Sequence, residues 1–273
     1  MAAISSIKTM QCYHGLRRET IVQSVLTDVF QGRLRAGKRL VTQELAERFG
    51  VSHTPIREAL IALAGMGIVD LLPNRGALVR RVAAKDVYEI CQVRKVLECA
   101  AVRRACGRIQ LALLHSLAED IRHLMSESAV HNGHARNGKK EKRGEETTSS
   151  QPATFIAQAR ALDSRLHDLV ADSCDNAFLA KEIGRLKILF RAFRDIAWEH
   201  DEARNDFHRL AEEAREHLAI VEALLVGDPK QASHAMARHI RSGAKYWSRA
   251  MPASTNGEPQ ETARHLRKRS SPR

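Results

Sequence analysis

The 273-residue chain reads as mostly α: an amino-terminal helix-turn-helix followed by a small β-hairpin, then a carboxy-terminal all-α helical bundle. Three observations lead there. The stretch Gln43 to Leu60 carries two helical periodicities broken at Gly50, and Ile68 to Val82 switches to β-rich runs around Pro73-Asn74-Arg75-Gly76. From Lys85 onward helical periodicity recurs and no convincing strand appears.

A first helix from Glu19 is expected from the stripe Ile21, Val22, Val25, Leu26, Val29 and Phe30, with Gly32 and Gly37 bracketing the turn that follows. Thr42 is an N-cap type for the next helix, which places Leu45, Ala46 and Phe49 on one side and ends at Gly50. Ser52 or Thr54 caps a third helix, Pro55 fits its first turn, and Ile56, Ala59, Leu60, Leu63 and Met66 recur at helical spacing. Small Ala46 permits close approach of the two helices and Ile56 fills the angle between them. The hairpin directly after the third helix is a wing. Arg57 on that helix and Arg75, Arg80 and Arg81 on the wing are side chains that neutralise phosphates and read base edges. A purely structural three-helix module has no use for them.

In the second region the pattern predicts helices at about 85–106, 109–126, 155–173, 176–198, 203–226 and 229–249, with Asp86, Asn176 and Asp228 as cap types, and six such helices make a bundle. Residues 127–153 are polar and nearly free of large apolar groups, so a disordered insertion is expected there. The domains are thus a disordered arm over 1–14, the winged unit over 15–82, the bundle over 83–250 and a disordered basic tail over 251–273. A solvated charged end is the plainer reading of that tail; a second grip on DNA is the other.

Composition narrows the setting. A formal charge of +12 makes a polyanion a plausible partner, although the tail supplies part of the excess. Cys12, Cys91, Cys99, Cys106 and Cys174 show no paired spacing and leave an odd one over, the usage of a reducing cytosol, with most thiols expected buried and free. Cys99 and Cys106 share one helical face. No apolar run approaches the roughly 20 residues that span a bilayer, and Met1 to Met10 lacks a secretory core, so a cytoplasmic protein with no membrane partner is expected.

Gly37-Lys38-Arg39-Leu40, Leu45-Ala46 through Gly50-Val51-Ser52, Thr54-Pro55-Ile56-Arg57-Glu58-Ala59-Leu60 and Asn74-Arg75-Gly76 closely resemble the DNA-binding domain of GntR-type bacterial transcription regulators. The resemblance covers Gly32 to Val82 and implies that Thr54 and Arg57 touch DNA at the recognition helix and Gly76 at the wing. Many relatives have Arg where this chain has His53, and some where it has Gln43, which bears on base preference. The candidate DNA-contacting set is Gln43, Ser52, His53, Thr54, Arg57, Arg75 and Gly76.

A second constellation stands apart by spacing. Asp163 and His167 project from one helical face a single turn apart, and Asp228 lies midway between His217 and His239, so an antiparallel hairpin brings those imidazoles to one height. One carboxylate and three imidazoles make an N/O set suited to zinc, nickel, manganese or iron, with positions open for water or an organic acid. Solvated or hydrogen-bonded helical histidines are the bland alternative, and His208 and His234 are decoys. Residues 85–245 also resemble, more diffusely, the FCD effector domain of FadR-like GntR regulators, whose Asp-x-x-x-His pair and two later histidines match Asp163, His167, His217 and His239. Arg94 looks like the inward arginine that similar domains place by the cavity to hold an effector carboxylate, and Arg191 is a second candidate; a surface salt bridge is the alternative for either.

The expected function is therefore a ligand-responsive repressor, a homodimer on a palindromic operator, with a divalent metal (zinc, nickel or manganese) and a small organic acid effector in the bundle. The chain is not expected to be an enzyme. The same ligands would serve a metal-dependent hydrolase or oxygenase with an accessory DNA-binding domain, but no motif supplies a positioned general acid or base. A purely architectural DNA binder is a third reading.

Overall fold

The computed structural model describes residues 18–73, 75–136, 152–204 and 207–250. The expected arm, most of the insertion and the tail lie outside them. The winged unit starts with α1 (residues 18–30), whose whole apolar stripe from Ile21 to Phe30 is buried. It continues through β1 (Arg39–Leu40), α2 (Thr42–Phe49), α3 (His53–Gly65), β2 (Val69–Leu72) and β3 (Gly76–Val79).

Gly50 ends α2 in the left-handed conformation, φ 62°, and Ile56 is fully enclosed between the helices. Capping differs from expectation. Thr42 is already the first helical residue, the cap position falls to extended Val41, and Ser52 caps α3 without a side-chain hydrogen bond. Backbone bonds such as Leu45 N–H to Val41 O (3.1 Å) close the first turn of α2 instead.

The wing is three-stranded, in the order β1-β3-β2, all antiparallel, with Leu40 opposite Ala77 and Leu72 opposite Gly76. The two-residue β1 is too short to leave a period in the sequence, and β3 stops at Val79 rather than Val82. Gly76 is required twice over. Its φ is +87°, and a Cβ there would sit 2.0 Å from the Leu40 carbonyl oxygen, so the strand addition depends on its bare backbone.

The bundle comprises α4 (Ala84–Ala105), α5 (Leu111–Arg136), α6 (Pro152–Asp172), α7 (Ala177–Arg204), α8 (His208–Val226) and α9 (Pro229–Ala250). Asn176 and Asp228 accept the backbone N–H groups of Leu179 and of Lys230 and Gln231, as caps do. Asp86 sits one turn inside α4 and reaches back to the Ala83 N–H (2.7 Å), so it is not the cap itself. Helix α5 runs ten residues past its expected end and α6 begins at Pro152, so the ends of the expected disordered insertion are helical. Once α5 is nucleated, each further residue adds one backbone bond for one pair of fixed dihedrals, and buried Ser128 continues its core-facing side. For the same reason α7 propagates to Arg204, through residues 199–202, which the sequence pattern leaves as a connection, and the first two residues that it gives to the next helix, which starts instead at His208.

Helix α9 lies along α4 and α8 along α5, with Gly227 (φ 77°) turning the α8–α9 hairpin. Helix α7 also meets the winged unit. Phe193 packs on Phe30 of α1 with ring centroids 4.6 Å apart, and Arg185 Nη1 donates to the Gly65 carbonyl at the end of α3 (3.2 Å). Cys91, Cys99 and Cys174 are buried free thiols and Cys106 is half-buried; burial pushes the Cys91 thiol up to about 11, which keeps it unreactive. No described helix is long and apolar enough to cross a membrane.

Candidate nucleic-acid and metal sites

Helix α3 stands against β2 and β3 with its apolar side inward, which leaves His53, Thr54 and Arg57 exposed. One open cleft is lined by Gln43 at the start of α2, His53 and Arg57 of α3, and Arg75 and Gly76 of the wing. Ser52 and Thr54 are exposed at the head of α3 but do not line the cleft. The two positions that depart from the GntR pattern touch: His53 Nε2 lies 2.7 Å from Gln43 Oε1, and Gln43 Nε2 donates to Glu47 Oε1 (2.6 Å). Arg57 has no ion-pair or hydrogen-bond partner among the described residues, so its guanidinium faces the cleft uncommitted. Arg39 of β1, not singled out from the sequence, donates from Nε to the Arg75 carbonyl (3.0 Å) and steadies the wing tip.

In the bundle, Asp163 and His167 of α6, His217 of α8 and His239 of α9 bring one ligand atom each within 4.8 Å of one another. All four are buried, and the decoys His208 and His234 are exposed. Carboxylates orient two of the rings. Glu98 Oε2 lies 2.5 Å from His167 Nδ1, and Glu216 Oε2 lies 3.2 Å from His239 Nδ1. With both Nδ1–H groups donated to carboxylates, the two Nε2 atoms present lone pairs, and they face each other at 3.3 Å. His217 Nε2 is buried with no hydrogen-bond partner, 3.6 Å from Asp163 Oδ1.

The electrostatics keep His217, His239 and Asp163 in ligating form. Burial depresses His217 well below the usual imidazole range, His239 adding to the effect and Asp163 opposing it. Burial likewise brings His239 down to about 4, against the Glu216 hydrogen bond. Both are therefore neutral donors at pH 7. Burial alone would raise Asp163, but Arg194, His167 and His217 outweigh it and hold the carboxyl well below the usual carboxylate range. Burial likewise opposes ionisation of Glu98 and Glu216. Arg94 and His167 bring Glu98 to about 2, and the His239 hydrogen bond with Arg209 does the same for Glu216. Only the His167 nitrogen meets a cationic donor, Arg94; the His239 and His217 nitrogens converge beside an ionised carboxylate, and that of His217 has no partner. The residues present fit a divalent metal ion.

Arg94 is not on the surface. It is 4% exposed, donates from Nε to Glu98 Oε1 (2.6 Å) and from Nη2 to His167 Nε2 (3.0 Å), and lies over the Phe190 ring, 4.6 Å from its centroid. Arg191 is half-buried, 3.9 Å from Asp168. Both line a cavity beside the cluster, with Asp163 and His167 on its wall. Several participants were missed in the sequence. Arg194, 3% exposed, pairs with Asp163 and with Asp195 (2.9 Å); Glu98 and Glu216 set the rings. The signal for Glu98 was its position one turn after Arg94, and for Glu216 its place beside His217. Glu213, one turn before His217, is 2% exposed with both carboxylate oxygens lacking hydrogen bonds; burial, against Arg209 and helped by Asp163, raises it to about 7.

A cationic winged helix-turn-helix joined to a helical bundle that converges ligating side chains is the layout of a ligand-responsive DNA-binding regulator. Comparison with known families agrees: residues 17–79 match the bacterial regulatory proteins of the gntR family, and residues 89–242 match the FCD domain. The chain belongs to the GntR regulators that carry an FCD domain; it is a transcriptional regulator and not an enzyme. The probable D-xylose utilization operon transcriptional repressor of Paenarthrobacter nicotinovorans is 29% identical over 234 residues, 82% of this chain and 88% of that protein. The HTH-type transcriptional repressor RspR of Escherichia coli (strain K12) is 32% identical over 111 residues, 41% of this chain and 45% of that protein. Among solved structures, E. coli McbR/YncC superposes with a TM-score of 0.59 at 20% identity, covering 86% of this chain and 97% of that one, a likeness of fold.

Proposed function

We propose that this regulator is a repressor whose FCD bundle binds a divalent metal through Asp163, His167, His217 and His239, and that a small organic acid bound beside it weakens operator binding. The observation that carries the reading is the convergence of three imidazole lone pairs and one ionised carboxylate from α6, α8 and α9. A divalent ion there supplies a Lewis-acid contact for a carboxylate oxygen. Zinc, nickel and manganese all suit the donor set. Arg94, which shares the His167 lone pair in the present arrangement, is the guanidinium that turns to the effector carboxylate once that nitrogen is committed elsewhere.

At the other end, Arg57 with Thr54 and His53 enters the major groove, Gln43 and Ser52 flank it, and Arg75 and Gly76 bring the wing to the adjacent groove. One winged unit reads one half-site, so a homodimer on a palindromic operator follows from two-fold symmetry. The repressor sense is taken from the names of the relatives. Effector binding acts through the difference in its affinity for the two arrangements of the winged units, typically about 1–3 kcal/mol.

The test is fluorescence anisotropy with an operator selected from genomic fragments. Metal-loaded protein should bind the operator in preference to random duplex and release it when organic acids are added, and chelated protein should not respond to the acid. An acid response that is identical with and without metal overturns the reading.

A further inference from the structure

Beside the metal cluster the cavity has two unlike ends. At the inner end Arg94, Asp163 and His167 have side chains no more than 11% exposed. At the outer end Lys187, Arg191 and Asp168 are 25%, 37% and 42% exposed. Ile183, Lys187, Phe190, Arg191 and Arg194 repeat at helical spacing along α7, so one stripe of that helix runs from mouth to interior.

Charge is matched inside and unmatched outside. Arg94 pairs with Glu98 and Arg194 with Asp163, one cation to each carboxylate of the lining; Asp195, which meets Arg194 from outside the lining, is matched by Arg160 (3.2 Å). Lys187 and Arg191 share the single carboxylate of Asp168. The lining thus carries one surplus cation, located at the mouth. A divalent ion at the cluster raises the positive excess further. A monoanion at the inner end leaves the outer surplus unanswered, and a dianion answers both.

We propose that the acid recognised here is a dianion: one carboxylate meets Arg94 and the metal cluster, and a second anionic group replaces Asp168 as the partner of Lys187 and Arg191. This rests on the reading that the inner end takes a carboxylate. Asp163 and Asp168 are five residues apart on α6, about 7.5 Å of axial rise at about 1.5 Å per residue, roughly the reach between the outermost oxygens of an extended four- to six-carbon diacid. The cavity measures ≈ 20 Å³ in this structure, room for about one water. The diacid therefore enters by parting Lys187 and Arg191 from Asp168, the most exposed contacts of the lining. Ser164, Arg191 and Arg194 also line the crevice between α7 and α1, so the mouth opens toward the winged unit.

Isothermal titration of the full metal-loaded chain tests this with pairs of 2-hydroxy acids that differ only in a distal carboxylate or methyl: malate against 2-hydroxybutyrate, and 2-hydroxyglutarate against 2-hydroxyvalerate. In at least one pair the diacid should bind about tenfold more tightly or better, the scale of one charge-assisted contact. The Lys187→Gln, Arg191→Gln double variant should lose that preference while keeping its metal content and its affinity for the monoacid. Asp168→Asn should tighten diacid binding, a gain that misfolding cannot mimic. Equal affinities within both pairs, or a preference that survives in the double variant, overturn the dianion assignment. If no acid binds the metal-loaded chain, or acids bind equally well after chelation, the carboxylate-at-metal reading fails and takes this inference with it.

Discussion

The two halves of the molecule handle their arginines in opposite ways. In the winged unit Arg57, Arg75 and Arg81 stand in solvent, and Arg57 has no partner among the described residues. In the bundle Arg94, Arg194 and Arg209 are at least nine-tenths buried and each is paired with a carboxylate. An exposed, uncommitted guanidinium costs the fold little and is available to a polyanion. A buried, paired one contributes placement: it fixes Asp163 and Glu98, which in turn fix the imidazoles. The same residue type serves recognition in one unit and preorganisation in the other.

The contrast breaks most visibly at Arg194. Its replacement by Ala strands the buried Asp163 carboxylate, and the metal-free protein should lose about 3–5 kcal/mol of unfolding free energy, measured by urea titration. Metal loading should recover much of that loss, because a bound cation replaces the guanidinium as the partner of Asp163. A variant as stable as the wild type in the metal-free state would show that the pair is not structural.

Arg57→Ala sharpens the other side. It should leave the melting temperature unchanged and cost about 1–3 kcal/mol of operator binding, read by anisotropy at fixed salt. A loss of stability instead of affinity would place Arg57 with the bundle arginines.

The smallest effect concerns pH. In the metal-free chain His217 and His239 resist protonation when folded, whereas the unfolded imidazoles titrate near 6.5. From about pH 6.5 down to 4 the unfolded chain binds more protons, so these groups lower stability as the pH falls. Glu213 acts with the opposite sign: at about 7 when folded and about 4.5 unfolded, it takes up its proton in the folded state first, and its contribution is lost as the pH rises through that window. Glu213→Gln removes the opposing contribution. Its metal-free stability should fall more steeply between pH 7 and 5 than that of the wild type, by at most about 1.4 kcal/mol per pH unit. An unchanged slope would contradict the assignment.

Periodicity made much of the fold legible. The α1 stripe, the Gly50 turn, Ile56 in the helix angle and the helix-cap roles of Asn176 and Asp228 depend on residues close in sequence, and the structure places them as read. The juxtaposition of Asp163, His167, His217 and His239 was legible by halves: one pair shares a helix face, and a hairpin with a central turn carries its two arms to equal height, while the meeting of the two pairs was expected chiefly from the FCD resemblance. Strand β1 was not legible, because its existence depends on the bare Gly76 far along the chain. The pairings of Arg194 with Asp163 and of Glu98 with His167 were not either, since both join helices whose mutual rotation no local pattern encodes. Arg94 was expected inward from the family resemblance and lies there, enclosed by Glu98, Phe190 and Trp247; its charge and its neighbours Val93 and Lys95 alone left a surface salt bridge open.

The central claim is that the bundle holds a metal through four named side chains. Metal content by inductively coupled plasma mass spectrometry, after exhaustive dialysis of the wild type and of the His217→Ala, His239→Ala double variant, tests it most directly. Wild-type protein should retain about one divalent ion per chain, as a site with four protein ligands does, and the double variant should retain essentially none. Equal stoichiometry in the two proteins would contradict the account.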